Sequence, residues 1–276
     1  MTKKGKILIE KGTVSETLVL PLKGRAHCSQ KYPDVFPDPV AEDLIKKIEY
    51  DFDSLDYKEF VMITWAFRNR MLVERAKAYL RKHPKATIVN LGCGVDTSFS
   101  AIDNGECHFI NLDLPDVIRA REEIIEPAER EKNVAGDAFD FSWIDEIETP
   151  VEDGVYIISG GVLMFFDEDK VRELLTGLAG KLPGGGIGFD GESSGAVKRS
   201  NKIVEKTGNK GALVKFAVND AEKTFAGWSD RFSKINCYDK LPEGIAKAGS
   251  IPFGARMMLR MGCRMGMIKI VEIMFK

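Results

Sequence analysis

The chain has few of the residues that build metal centres or covalent cross-links. Its 276 residues include three histidines and five cysteines (Cys28, Cys93, Cys107, Cys237 and Cys263), with no Cys-x-x-Cys pair. That scarcity argues against a zinc site and a disulfide framework. It fits a reducing, cytoplasmic setting in which the thiols act as small buried hydrophobes. No stretch approaches the ~20 apolar residues of a transmembrane helix. Met1 to Lys6 is basic, but only Ile7 to Ile9 follow as an apolar run, too short for a signal peptide. The formal net charge is −2, so no basic field is available for nucleic acid or an anionic membrane. Internal repeats and low-complexity tracts are also missing. What remains is 44% hydrophobic and 30% charged, the composition of a soluble globular chain able to bury a sizeable core.

The length suits one α/β domain with an elaborated cap. Residues 1–40 are rich in turn formers (Pro21, Gly24, Pro33, Pro37 and Pro39) and read as a loop or short-helix lid. Residues 41–82 read as helical. Between 60 and 80, Val61, Trp65, Arg68, Leu72, Ala76 and Tyr79 share one helical face. Arg68 is the one charge on that stripe. It either reaches the stripe's edge, pairs with an internal carboxylate, or meets a ligand anion.

Strands and helices then alternate. Strands are predicted at 87–91, 107–112, near Val134-Ala135, at 155–158, and from the Gly184-Gly185-Gly186 turn to Asp190. Two more are expected within 231–238 and 267–275. A helix begins at Pro115. Another follows Asp167, read as its N-cap, with Phe166 and Val171 as a hydrophobic staple. The expectation is a single unit over 1–276. It comprises an N-terminal helical lid (1–85), a ligand-binding core (86–190), and a substrate-cap insertion with the last two strands (191–276).

The run Asn90-Leu91-Gly92-Cys93-Gly94-Val95-Asp96-Thr97 places a glycine pair after an apolar strand. Asp113, 21 positions after Gly92, closes the next strand. Glycines permit close approach to the backbone, and a carboxylate one strand over can accept from both ribose hydroxyls. The ligand therefore contains adenosine. A dinucleotide calls for a third glycine where Thr97 stands. A P-loop needs a Lys-Ser/Thr pair that does not follow. S-adenosylmethionine needs neither, and the chain offers the glycine pair, Asp113, Asp137 with Ala138, and Arg68.

Several stretches together resemble the leucine carboxyl methyltransferase superfamily, nearest its bacterial polyketide O-methyltransferase branch. They are Gly24-Arg25-Ala26, 90–97, Leu112-Asp113-Leu114-Pro115, Gly136 to Trp143, and Gly161-Val162-Leu163-Met164-Phe165-Phe166. The resemblance implies a Rossmann-like, seven-stranded class I methyltransferase sheet with helices on both faces and an insertion after the fifth strand. It implies S-adenosyl-L-methionine as cofactor and methylation of a carboxylate or hydroxyl. By the same resemblance, Arg68 holds the cofactor's methionine carboxylate, and Gly92, Cys93 and Gly94 line it. Asp113 meets the ribose, Asp137 and Ala138 the adenine edge, and Leu114, Ser159 and Gly160 are further cofactor contacts. Arg25 is a further cofactor or lid contact. The family commonly has a glutamate where this chain has Gly160. That departure predicts weaker cofactor binding, a shifted pose, or a carboxylate supplied from elsewhere.

No general base stands out. His27, His83 and His108 fit structural or solvated roles, which favours an acceptor that is already ionised or an acidic phenol. The acceptor is expected to be a small molecule bound between the N-terminal lid and residues 191–265. In Arg256 to Met267, methionines could adapt to an irregular ligand and arginines to an anion, while ordinary helix packing is the plainer reading. Two rivals remain: an NAD(P)-dependent oxidoreductase, and a family member that binds cofactor without catalysis. Oligomeric state is beyond the sequence.

Overall fold

Part of the segment rich in turn formers folds as a long helix, while Pro33 and Pro37 lie in the non-helical stretch that follows it; residues 1–6 and 9–13 of that segment lie outside the described residues. A computed structural model describes residues 7–8, 14–50, 52, 59–207 and 213–276. Helix α1 spans Val14–Lys31 and runs through Pro21. A proline inside a helix costs ~3 kcal/mol or more. Burial of Val19, Leu22, Ala26 and Cys28 offsets that penalty. Gly24 is not a turn residue: a Cβ there would lie 2.6 Å from the Trp65 ring. The missing side chain lets α1 pack closely on the helix that carries Trp65. The predicted helical stretch 41–82 is two helices, α2 (Pro39–Lys47) and α3 (Glu59–Leu80). Residues 51 and 53–58 of that stretch lie outside the described residues. Helix α3 buries ten residues around most of its circumference, so the stripe through Arg68 is part of a wider apolar surface.

Next come β1 (Thr87–Leu91), α4 (Phe99–Ile102), β2 (His108–Asp113), α5 (Pro115–Ile124), β3 (Glu131–Ala135) and β4 (Val155–Ser159). Helix α6 (Glu168–Lys181) buries Val171, Leu174, Leu175, Leu178 and Ala179, the spacing of one helical face. Each such aliphatic side chain contributes about 1.5–3 kcal/mol on full burial. Asp167 takes the N-cap position with extended backbone, but its side chain makes no capping bond and reaches Lys215 instead. Strand β5 (Gly186–Gly191) follows, then α7 (Ser194–Thr207) and α8 (Ala221–Phe225). The chain ends with β6 (Phe232–Tyr238), α9 (Glu243–Ala246), α10 (Phe253–Arg264) and β7 (Lys269–Phe275).

The seven strands form one sheet in the order β3-β2-β1-β4-β5-β7-β6. The first five pair in parallel, and β7 runs antiparallel between β5 and β6. This is the class I methyltransferase arrangement expected from the sequence. It differs from the all-parallel dinucleotide order 3-2-1-4-5-6. Alternate residues serve opposite faces. Ile88, Phe109, Tyr156 and Ile158 pack under α3 and α10, while Val89, Leu91, Ile110, Leu112 and Ile157 pack under α6. Strand order reverses between β1 and β4. The loops that leave the carboxyl ends of these strands therefore diverge and open a crevice.

Candidate functional site

A cavity of about 640 Å³ lies in that crevice. This is within the usual range for small-molecule sites. The glycine loop forms its floor. Gly92 (φ +70°) and Gly94 (φ +48°) adopt left-handed backbone that other residues rarely take. A Cβ on Gly92 would lie 2.3 Å from Val162 Cγ2. The loop is pinned to β2: Gly92 N donates to the Leu112 carbonyl (2.8 Å) and Gly94 N to Asp113 Oδ2 (2.8 Å). Leu114 N donates to Asp113 Oδ1 (2.8 Å). Burial raises the Asp113 carboxyl above its ordinary value, and these two backbone bonds oppose the rise. Each of its oxygens has a further lone pair for a hydroxyl donor.

Asp137 stands at the far wall with Ala138. It is exposed, and its carboxylate accepts from Phe139 N (3.0 Å). Arg68 enters from α3 on the opposite side. Its Nη1 pairs with Asp190 Oδ2 at 3.2 Å. Of the predicted site residues, Arg25, Arg68, Gly92, Cys93, Gly94, Asp113, Leu114, Asp137, Ala138 and Gly160 all line the cavity. Ser159 does not. It is fully buried, and its hydroxyl donates to the Leu91 carbonyl (3.1 Å), which locks β4 to β1. Arg25 is committed to protein partners. It pairs with Asp96 and Asp38 and donates to the Val95 carbonyl. Its role is to fasten α1 over the glycine loop.

The polar hub of the site, Asp96, received no role from the sequence. Its Oδ2 accepts from Arg25 and from Asn69 Nδ2 (3.0 Å), and its Oδ1 from Asn90 Nδ2 (3.1 Å) and Ser98 N (2.7 Å). Burial would raise its carboxyl, but Arg25 and the Ser98 bonds outweigh this and hold it below the ordinary carboxylate value. Four donors leave it no capacity to act as a base. Cys93 is buried, and desolvation pushes its thiol far up, which removes it as a nucleophile. None of the three histidines lines the cavity. Among the described residues no cluster of His, Cys, Asp and Glu could hold a metal ion.

Among the described residues, none between 191 and 265 lines this cavity; the lid helix does, through Leu18, Pro21 and Leu22. Most of the methionine-rich run forms α10, and its methionines other than Met267 are not packed inside. Leu259, Gly262 and Cys263 face the core, while Phe253 (72% exposed), Met257 (50%), Met258, Met261 and Met265 face outward. Cys237 is also exposed, unlike the other four cysteines. No described helix is long and apolar enough to cross a membrane.

A family model described as leucine carboxyl methyltransferase matches residues 19–179, more than half of the chain. The tetracenomycin polyketide synthesis O-methyltransferase of Streptomyces glaucescens is 29% identical over 64% of this chain and 65% of its own. An S-adenosyl-L-methionine-dependent methyltransferase of Gibberella zeae is 26% identical over 67% of this chain and 66% of its own. The matches thus span just under two thirds of both curated relatives. A DUF574 family protein from Streptomyces avermitilis shares the fold, with a TM-score of 0.56 at 13% identity over 92% of this chain and 97% of that one.

Proposed function

Because this chain belongs to the leucine carboxyl methyltransferase family, whose cofactor is S-adenosylmethionine, we propose that it methylates an oxygen of a small organic acceptor. The acceptor atom is a carboxylate or a phenolic hydroxyl on a polyketide-like molecule. The observation that carries this reading is the placement of Asp113. Its carboxylate, at the end of β2, is tied to Gly94, with Asp137 just past the neighbouring strand β3 and Arg68 against the turn after β4. That order suits an acid for a ribose flanked by an acid near an adenine edge and a cation for an amino-acid carboxylate.

The residues present fit the group. Asp113 would hold the ribose hydroxyls, Asp137 and Ala138 the adenine edge, and Arg68 the methionine carboxylate. Bound there, S-adenosylmethionine supplies a methyl group activated by a sulfonium. The chain's part is to align the acceptor oxygen opposite the leaving sulfur and to exclude water, and alignment alone supplies much of such a rate. Leu18, Leu22, Trp65 and Leu72 give the cavity apolar walls suited to that exclusion. An already ionised carboxylate needs no proton removed, which agrees with a cavity wall free of histidine. S-adenosylhomocysteine release, measured against a pool of carboxylic acids and phenols, tests the proposal. Turnover with an oxygen acceptor is the expected result. Cofactor binding with no turnover across the pool would favour the non-catalytic reading.

A further inference from the structure

Asp190 joins three elements beside the cavity without lining it. It is the penultimate residue of β5 and only 5% exposed. Its Oδ2 accepts from Arg68 Nη1 on α3 (3.2 Å), and its Oδ1 accepts from Gly161 N in the turn after β4 (2.7 Å). The turn and the guanidinium are in intimate contact. Gly161 has φ +75°, and a Cβ there would lie 2.9 Å from Arg68 Nη1 and 3.1 Å from its Cζ. A Cβ on Gly160 would lie 2.9 Å from Leu72 Cδ1. The Gly160-Gly161 pair therefore leaves room for Arg68 to cross the turn, and Asp190 holds both sides of that contact.

Arg68 carries five N–H donors in a rigid fork. Asp190 is its only hydrogen-bond partner among the described residues, and its side chain remains 20% exposed at the cavity wall. A long side chain fixed at one edge loses its rotational freedom before a ligand arrives, and its other donors stay available as a preset fork. Gly160 has no carboxylate to do this. Glu192, the other nearby acid, is engaged by the Ser200 hydroxyl.

We propose that Asp190 is the positioning residue of the donor pocket, orienting Arg68 so that its unused N–H edge meets the carboxylate at the amino-acid end of the cofactor. This rests on the cofactor placement given under Proposed function. The pair makes a specific demand on ligand chemistry. Affinity for a ligand with that carboxylate depends on Asp190, and affinity for the same nucleoside without it does not.

Calorimetric titration of S-adenosylhomocysteine and of 5′-methylthioadenosine, which lacks the amino-acid arm, provides the test. Asp190→Asn is expected to weaken S-adenosylhomocysteine about tenfold and 5′-methylthioadenosine less than about twofold. Asp190→Glu, which keeps the charge, is expected to fall between wild type and Asp190→Asn and serves if the asparagine variant does not fold. In an Arg68→Gln background, Asp190→Asn should cause no further loss of S-adenosylhomocysteine, because the two residues act as one unit. Equal loss of both ligands, or additive losses in that background, would reduce Asp190 to a brace and overturn the inference. If the wild-type chain binds neither ligand, the cofactor placement itself fails. If it binds both and Asp190→Asn leaves their ratio unchanged, only the role of Asp190 fails.

Discussion

Arg121 Nη1, reaching from α5, donates to the backbone carbonyl of Asp96 at 2.7 Å. The same nitrogen donates to the Gly94 carbonyl at 3.1 Å. The guanidinium is buried and paired with Glu131 Oε1 (3.0 Å), and its Nε donates to Asn133 Oδ1 (3.1 Å). One arginine thus ties β3 to the underside of the glycine loop. Arg121→Met should destabilise the fold by about 3–5 kcal/mol, since Glu131 is left buried without its partner. Urea unfolding would read this. A loss below about 1 kcal/mol would show that the loop is held by other means.

Gly92 is doubly constrained, by its positive φ and by Val162 above it. Gly92→Ala should cost at least about 2 kcal/mol and abolish measurable S-adenosylhomocysteine binding. Adding Val162→Ala should restore part of the stability, because it removes the clash and leaves the backbone strain. Thermal melts of the two single variants and the double variant form a cycle that separates these contributions.

Asp113 gives the site a pH dependence of defined sign. Its folded pKa lies above the ordinary value of 3.8, chiefly through burial. The native state therefore holds that proton more tightly than the unfolded chain. The stability gained is present below 3.8 and fades as pH rises through the raised value. Cofactor affinity runs the other way, because the ionised carboxylate is the form that accepts two hydroxyl bonds. S-adenosylhomocysteine binding should weaken as pH falls from neutral toward the raised pKa. Asp113→Asn should bind weakly at every pH and show no such slope.

The exposed face of α10 should tolerate polar substitution. Met257→Ser and Met261→Ser are expected to shift stability by no more than about 0.5 kcal/mol each. Truncating the buried Met71 to alanine should cost about 2–5 kcal/mol. Denaturant midpoints at constant slope would compare them. A large loss at Met261 would mean that this face is covered in solution.

The centre of the sheet was legible because β1, β2, β4 and β5 are short, mostly apolar runs that end at or just before glycine, aspartate or serine. Ile88 and Val89 announce both faces of β1 before any partner is known. The glycine loop and Asp113 were legible for the same reason: their spacing is set by one strand-turn-helix-strand unit. Helix α1 was not legible, because Pro21 and Gly24 are local breakers whose purpose is tertiary. Gly24 exists for Trp65, and Pro21 faces the cavity. Nor could spacing reveal the polar network. Arg25 and Asp96 lie 71 residues apart, and Arg68 and Asp190 lie 122 apart. Neither separation is a period of any local structure. Which face of α10 is buried was not legible for a different reason: that face is built partly from Gly262 and Cys263, and the large side chains face outward.

Asp96 gathers α1 through Arg25, α3 through Asn69, β1 through Asn90, and the start of α4 through Ser98. A chain beginning at β1 would keep every parallel strand and the whole glycine motif. It would also leave that carboxylate with two of its four donors and open the roof over the crevice. The smallest portable piece of this protein that retains a formed donor pocket therefore starts upstream of Arg25. Any gene fusion or circular permutation that keeps the pocket must carry the first helix along with the sheet.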